Sequence, residues 1–170
     1  MRTPRLDATI ACVDNDDWTE VALQMERISK PRPGGRAAVP PLVQTIDCLR
    51  IPVPNLEAGL TFYRDRLGHE LIWRTADAAG LRLPKSETEL VLQTQRPAVE
   101  IDLLVESADG AAQRVVEAGG AIVVAPFDIP IGRCVVVRDP WGAELVLLDA
   151  SKGQFITDAD GTVNDIAPRT

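Results

Sequence analysis

Histidine and cysteine are scarce in this chain, and their scarcity restricts the metal chemistry that it could support. The 170 residues include one histidine, His69, and three cysteines, Cys12, Cys48 and Cys134. A two-histidine, one-carboxylate iron site cannot be assembled from a single histidine. The cysteines have no metal-ligand spacing and are odd in number, so they indicate neither a zinc ribbon nor a disulfide framework.

Long apolar runs and an excess of positive charge are also missing. No stretch is apolar over enough residues to span a bilayer, and the N-terminus lacks the hydrophobic region of a signal peptide. The formal net charge is −7. That charge disfavours a nucleic-acid partner, because such binding needs lysine and arginine over the phosphates. We therefore expect a cytoplasmic protein with neither a membrane nor a nucleic-acid partner.

The sequence contains one pattern that occurs twice. Residues 46–68 read as a strand, a Pro-Asn turn, an amphipathic helix and a glycine stop, and residues 100–120 repeat that order. The motif ELVL follows each copy, at Glu89–Leu92 and at Glu144–Leu147. Two units of about fifty residues are too few for a solenoid, so the repeat favours a domain with two similar halves.

Each half continues with three further strands, and each helix has a capping residue at its start. Asn55 and Ser107 can each accept a hydrogen bond from an amide of the first helical turn. Apolar and polar residues alternate along the first strand of each half, which indicates a sheet covered by helices on one side only. The predicted later strands are Leu71–Arg74, Gly80–Leu83, Glu89–Gln93, Ala121–Ala125, Arg133–Val137 and Glu144–Leu148.

These features predict an α+β fold. Two βαβββ modules, about residues 43–95 and 98–151, form a curved eight-stranded sheet with a concave cup, and together they make up a domain over residues 42–151. Residues 1–41 are predicted to be an N-terminal extension with one amphipathic helix and a Pro/Gly linker. Residues 152–170 are predicted to be a C-terminal tail.

Two sequence motifs in the chain resemble those of a known family. The first is a strand, a short turn and a helix containing Phe62-Tyr63 and ending at Leu67-Gly68. The second is the turn Asp139-Pro140-Trp141-Gly142 followed by a strand. Over about residues 43–151 the chain resembles the vicinal oxygen chelate superfamily, which includes glyoxalases, extradiol dioxygenases, fosfomycin-resistance enzymes and bleomycin-resistance proteins.

The resemblance implies where a metal site would lie. Enzymes of the superfamily hold a metal with one ligand on the first strand of each module, usually histidine, and one on the last strand, usually glutamate. The matching positions here are Cys48, Val91, Glu100 and Val146. Because valine cannot coordinate a metal, we expect no metal, no cofactor and no catalytic residue, as in the metal-free bleomycin-resistance-like branch.

Strand alternation predicts the side chains on the floor of the cup. They include one cation, Arg50, and four carboxylates, Glu89, Glu100, Asp102 and Glu144, so the floor should be acidic. An ion pair from Arg50 to Glu100 or Asp102 across the two modules is the structural alternative. Trp141, in its turn, could stack on a ligand or pack at an edge. The predicted ligand-binding residues are Cys48, Arg50, Val91, Gln93, Glu100, Asp102, Trp141 and Val146.

Three functions are compatible with these observations. The first is a metal-free binding protein, a homodimer by analogy with the superfamily's binders, that sequesters a cationic or aromatic small molecule. The second is a metal-dependent lyase, isomerase or dioxygenase with atypical ligands. The third is a structural or regulatory module whose cup is filled by its own side chains or by residues 1–41.

Overall fold

The computed structural model describes residues 38–168, and most of that part belongs to a single mixed sheet. The described residues from Pro40 onward belong to one compact unit. The amphipathic helix predicted within residues 1–41 lies outside the described residues. Neither helix of the described part has the length and apolar character needed to cross a membrane.

The elements follow the predicted order within each module. They are β1 (Val43–Pro52), α1 (Leu56–Leu60), a π-helical segment (Thr61–Arg66), β2 (Leu71–Arg74), β3 (Ala78–Arg82), β4 (Glu89–Gln93), β5 (Glu100–Val105), α2 (Ala108–Glu117), β6 (Ala121–Ile129), β7 (Gly132–Arg138), β8 (Glu144–Leu148), β9 (Gln154–Thr157) and β10 (Val163–Ala167).

The eight strands β1 to β8 lie side by side in the order β2-β3-β4-β1-β5-β8-β7-β6. β1 and β5 pair in antiparallel fashion at the centre and join the two modules, whereas β1 with β4 and β5 with β8 are parallel. This arrangement of two βαβββ modules confirms the predicted α+β fold.

The two helices begin where the sequence predicts. The side chain of Asn55 accepts a hydrogen bond from the amide of Ala58, and that of Ser107 accepts one from Gly110. Both predicted caps are therefore confirmed. Beyond Leu60 the first helix widens into the π-helical segment, which no sequence signal predicts, and it ends at Gly68 with a φ of 78°.

Each helix packs on the same side of the sheet and has its own apolar cluster. One cluster contains Leu56 and Leu60 of α1 with Leu90 and Leu92 of β4. The other contains buried alanines of α2 together with strand residues such as Leu147. The residues that alternate with these strand positions face the opposite, concave side, as predicted.

The segment predicted as a tail contains a hairpin. Strands β9 and β10 pair with each other in antiparallel fashion, apart from the main sheet. The hairpin turn contacts β2, because the amide of Arg74 donates to the carbonyl of Gly161 at 2.7 Å and Arg74 forms a β-bridge with Thr162. The outer edge of β2 is thus partly covered.

Candidate functional site

The strand register places side chains from six strands in one row across the concave face. Glu89 is opposite Cys48, Cys48 is opposite Asp102, and Asp102 is opposite Val146. The row continues through Val136 of β7 to Val124 of β6. It therefore has a polar half in the centre and first module and an apolar half in the second module.

An ionic cluster occupies the centre of this face, where the two modules meet. Arg50 Nε lies 3.8 Å from Glu100 Oε1, and Arg50 Nη1 lies 3.5 Å from Asp102 Oδ2. Arg96, in the connection between the modules, forms a second ion pair with Glu100. Arg50 therefore forms the ion pair across the two modules that the sequence analysis gave as its structural alternative, and it does so with both carboxylates.

Cys48 and Asp102 form a buried pair beside this cluster. The thiol donates to Asp102 Oδ2, with a sulfur–oxygen distance of 3.5 Å. Burial, reinforced by the charge of Asp102, raises the pKa of Cys48 far above its ordinary value. A thiol that keeps its proton is a poor nucleophile, so Cys48 has a packing role.

Asp102 is the most deeply buried of the four floor carboxylates. Its residue is 3% exposed, and its Oδ1 atom has no hydrogen-bond partner among residues 38–168. Burial raises the pKa of Asp102 to about 6, and Arg50 opposes that rise without cancelling it. Loss of hydration thus has a larger effect on this carboxyl than the neighbouring guanidinium.

The residues at the centre do not fit the metal of the superfamily's enzymes. Val91 and Val146 have no donor atom, Cys48 keeps its proton, and Glu100 is bound by two guanidinium groups. Within residues 38–168 no three histidine, cysteine, aspartate or glutamate side chains are grouped so as to hold a metal ion. Arg50 instead provides the positive charge between the carboxylates.

The floor carries more positive charge than the single predicted cation, because Arg96 and Arg138 also reach its carboxylates. Glu144 pairs with Arg138, at 2.6 Å between Oε1 and Nη2, and Glu89 accepts a hydrogen bond from the indole nitrogen of Trp73, also at 2.6 Å. Arg96 and Arg138 were outside the predicted floor because they lie in a connection and at a strand end.

Gln93 and Trp141 have different surroundings. Gln93 is buried, and its amide group is bonded to Arg96 and Gln95 backbone atoms, so it holds the connection between the modules.

Trp141 is 49% exposed. Its turn is fixed by Asp139, whose Oδ1 accepts hydrogen bonds from the amides of Trp141 and Ala143 at 2.9 and 2.8 Å.

Two exposed apolar residues on the concave face were not among the predicted ligand-binding residues. Val124 is opposite Val136, and Phe127 is opposite Cys134, so both β6 side chains share the cup side of the second module. More than a third of each is accessible to solvent. The apolar run at 121–127 was a usable signal, but Pro126 led to a prediction that the strand ends before Phe127.

A small cavity lies at the first-module end of the sheet. Its volume is about 90 Å³, well below the size of a typical ligand site. It can hold a few water molecules. Its lining residues are Ile72, Arg82, Leu83, Ser86, Glu87, Thr88 and Glu89.

Comparison with known proteins identifies the family. The model of the Glyoxalase/Bleomycin resistance protein/Dioxygenase superfamily matches residues 45–147. The chain belongs to this superfamily. Its predicted resemblance to the vicinal oxygen chelate group is therefore confirmed. No curated protein matches the sequence.

Several solved structures share the fold at low sequence identity. Methylmalonyl-CoA epimerase from Mycobacterium tuberculosis is 18% identical with a TM-score of 0.56, over 66% of this chain and 92% of that one. The same enzyme from Streptomyces coelicolor is 17% identical with a TM-score of 0.54, over 64% and 99%. A structure described as NAD-dependent benzaldehyde dehydrogenase from Legionella pneumophila is 19% identical with a TM-score of 0.52, over 61% and 97%. These similarities establish the fold alone.

Proposed function

We propose that this protein is a metal-free binding protein that holds a small aromatic compound against the concave face of its second module. The observation that carries the proposal is the central cluster, in which Arg50 lies between Glu100 and Asp102. Valines stand at two of the four positions that match the superfamily's ligands. Arg50 and Arg96 balance the charges of Glu100 and Asp102 in this cluster, so a metal ion has neither the donors nor the electrostatic environment that it needs there.

The surroundings favour an aromatic ligand over a cationic one. A cation would have to compete with Arg50, Arg96 and Arg138 for carboxylates that are already paired. An aromatic ring, in contrast, finds exposed apolar surface at Val124 and Phe127. Trp141 adds a large exposed ring in a rigid turn of the same module.

The apolar half of the cup exposes side chains that a bound ligand could remove from water. Val124 and Phe127 lie on the face away from α2, where the second module's own apolar cluster cannot cover them. Burying an exposed apolar side chain stabilises a complex by about 25 cal/mol for each Å² removed from water. A planar compound on this surface gains that energy without disturbing the ionic cluster. The cytoplasmic location and the homodimeric state stay predictions.

Two measurements on the full chain test the proposal. Elemental analysis after dialysis is expected to find no stoichiometric transition metal. Titration with 5-fluoroindole, followed by ¹⁹F NMR, is expected to show saturable binding that Phe127→Ala weakens at least about threefold, the value of one aromatic contact. Ile122→Ala is the matched control, because Ile122 is 44% exposed on the same strand but is opposite Val137 on the helix side.

Each alternative gives a different result. A transition metal retained through dialysis would overturn the proposal in favour of a metal-dependent lyase, isomerase or dioxygenase. Binding of spermidine but of no aromatic compound would favour a cationic ligand. Equal effects of Phe127→Ala and Ile122→Ala would remove the second-module surface from the site.

A further inference from the structure

Trp73 lies on the concave face of the first module because of an irregularity in strand pairing. Leu71 is opposite Leu81, and both pack in the helix-side cluster. The register then shifts, and Trp73, two residues later, is opposite Gly80 rather than Ala79. A β-bulge of this kind redirects the side chains that follow it. The indole is thereby brought over the concave side of β3 and β4.

Gly80 and Glu89 fix the indole in that position. A Cβ atom at Gly80 would collide with Nε1 of Trp73 and would lie 2.5 Å from its Cε2 atom. Only glycine therefore allows the ring to lie against β3. The indole N–H donates to Glu89 Oε2 at 2.6 Å. Gly80 thus contacts the ring, and Glu89 binds the N–H at its edge.

Phe155 of β9 contacts this indole. The two ring centroids are 5.1 Å apart and the ring planes are inclined by 55°. That separation lies within the range of favourable aromatic pairs. The first module therefore presents an aromatic surface to a ring that comes from outside the main sheet.

The hairpin that carries Phe155 lies outside the two apolar clusters of the described residues. Phe155 is partly exposed, and neither apolar cluster includes a residue of β9 or β10. Its contacts with the sheet include the Phe155–Trp73 pair and the backbone bonds at Arg74. Two-stranded hairpins are marginally stable by themselves. Loss of the Phe155 ring is consequently expected to leave both apolar clusters intact.

We propose that the face of the Trp73 indole is a binding position for a planar aromatic ring, and that this chain fills it with its own Phe155. The first module thus has an aromatic site that is closed by an intramolecular occupant. The proposal concerns the first module and stands apart from the function proposed for the second.

Replacement of the occupant tests this inference. In a Trp18→Phe, Trp141→Phe background Trp73 is the one tryptophan, so its fluorescence reports on the site directly. Phe155→Ala is expected to increase acrylamide quenching of Trp73 and to create a 5-fluoroindole site that quenches or shifts its emission, with an affinity at least about threefold above that of the parent. Phe155→Tyr restores a ring and is expected to behave like the parent.

Ile156→Ala is the matched control, because Ile156 is the next residue of β9 and its side chain is exposed. Equal quenching and equal 5-fluoroindole affinity in Phe155→Ala and Ile156→Ala would overturn the proposal. If Phe155→Ala does not fold, Phe155→Leu, which keeps an apolar side chain without a ring, takes its place under the same criteria.

The outcome is separable from that for the second module. A new site that persists when Phe127→Ala is combined with Phe155→Ala supports the Trp73 position, whether or not the parent chain binds 5-fluoroindole. A gain that Phe127→Ala abolishes would assign the binding to the second module and overturn the inference.

Discussion

Asp102 combines a low exposure, an ion pair and an oxygen that accepts no hydrogen bond from the described part of the chain. Burial raises its pKa to about 6 from an ordinary value of 3.8. A carboxyl that binds its proton more tightly in the folded state stabilises that state only while it is protonated. This contribution is complete below the unfolded pKa and is lost as the pH rises through the folded pKa.

Asp102→Asn should therefore become more favourable, relative to the wild type, as the pH increases. Asparagine is neutral in both states, so the variant escapes the loss that the wild type undergoes between about pH 4 and pH 6. We expect the free energy of unfolding of the variant, minus that of the wild type, to rise by up to about 3 kcal/mol over this interval. Urea denaturation at about pH 4.5 and about pH 7.5 measures it.

Asp65→Asn provides the comparison for that experiment. Asp65 is exposed, and its hydrogen bond with Arg64 lowers its pKa. Its titration thus lies below the interval, and no such rise is expected. If the free energies of unfolding of Asp102→Asn and the wild type differed by the same amount at both pH values, Asp102 would be ionised over the whole interval.

Residue positions in the site were predictable to the extent that strands alternate regularly. Alternation placed Arg50, Glu100 and Asp102 on one face, and the structure has them in contact. Trp73 could not be placed, because the register shift that redirects it leaves no mark in the residue pattern. The partners Arg96 and Arg138 were missed for a different reason, since pairing depends on side-chain reach rather than on strand parity.

At the scale of elements, the start of α2 depends on a buried carboxylate from the end of β8. Asp149 Oδ2 accepts from the amide of Ala108 at 2.9 Å. Its Oδ1 accepts from the amides of Arg133 and Ser151 and from the Ser151 hydroxyl. Burial alone would raise the pKa of Asp149, but these hydrogen bonds hold it below its ordinary value.

Asp149→Asn is expected to lower the free energy of unfolding by about 1–3 kcal/mol at neutral pH, because an amide NH₂ would face backbone donors that need an acceptor. The loss should shrink at acidic pH, since a group with a lowered pKa stabilises above its unfolded pKa and loses that effect as the pH falls. Chemical denaturation at about pH 7 and about pH 3 checks both statements.

Asp158→Asn is the control for this substitution. Asp158 Oδ1 also accepts backbone hydrogen bonds, from Asp160 and Thr162, but in an exposed turn. A cost for Asp149→Asn no greater than that for Asp158→Asn would contradict the role given to burial.

The elements themselves were largely predictable, with two exceptions that have physical causes. The caps Asn55 and Ser107 and the bounds of β2, β4 and β8 follow from local chemistry and agree with the structure. The β9–β10 hairpin did not, because its strands have only four and five residues and their apolar residues do not alternate with polar ones. The sequence of the π-helical segment Thr61–Arg66 shows no local pattern that would distinguish it from an α-helix.

At the scale of the molecule, the two apolar clusters are separate and the modules meet along β1 and β5. Arg50 crosses this seam from β1 to Glu100 and Asp102 on β5. The seam therefore has an electrostatic component besides its ladder of backbone hydrogen bonds. Its strength depends on whether Asp102 is ionised.

Arg50→Met and Asp102→Asn are expected to be coupled in a double-mutant cycle. Removal of Arg50 leaves carboxylates without their guanidinium, so it should cost less when Asp102 is already neutral. We expect a coupling free energy of about 1 kcal/mol, measured by urea denaturation at about pH 7.5. Arg82→Met, which removes an exposed pair with Glu70, should cost less than about 1 kcal/mol. Strict additivity would show that Arg50 and Asp102 act independently.

The two ends of the eight-stranded sheet are unlike each other. The hairpin turn is bonded to β2 at Arg74, whereas within residues 38–168 no strand pairs with the outer side of β6. Unpaired strand edges are the places where further chains add. We therefore expect another chain to add its strand at β6 rather than at the β2 edge, part of which the hairpin turn covers.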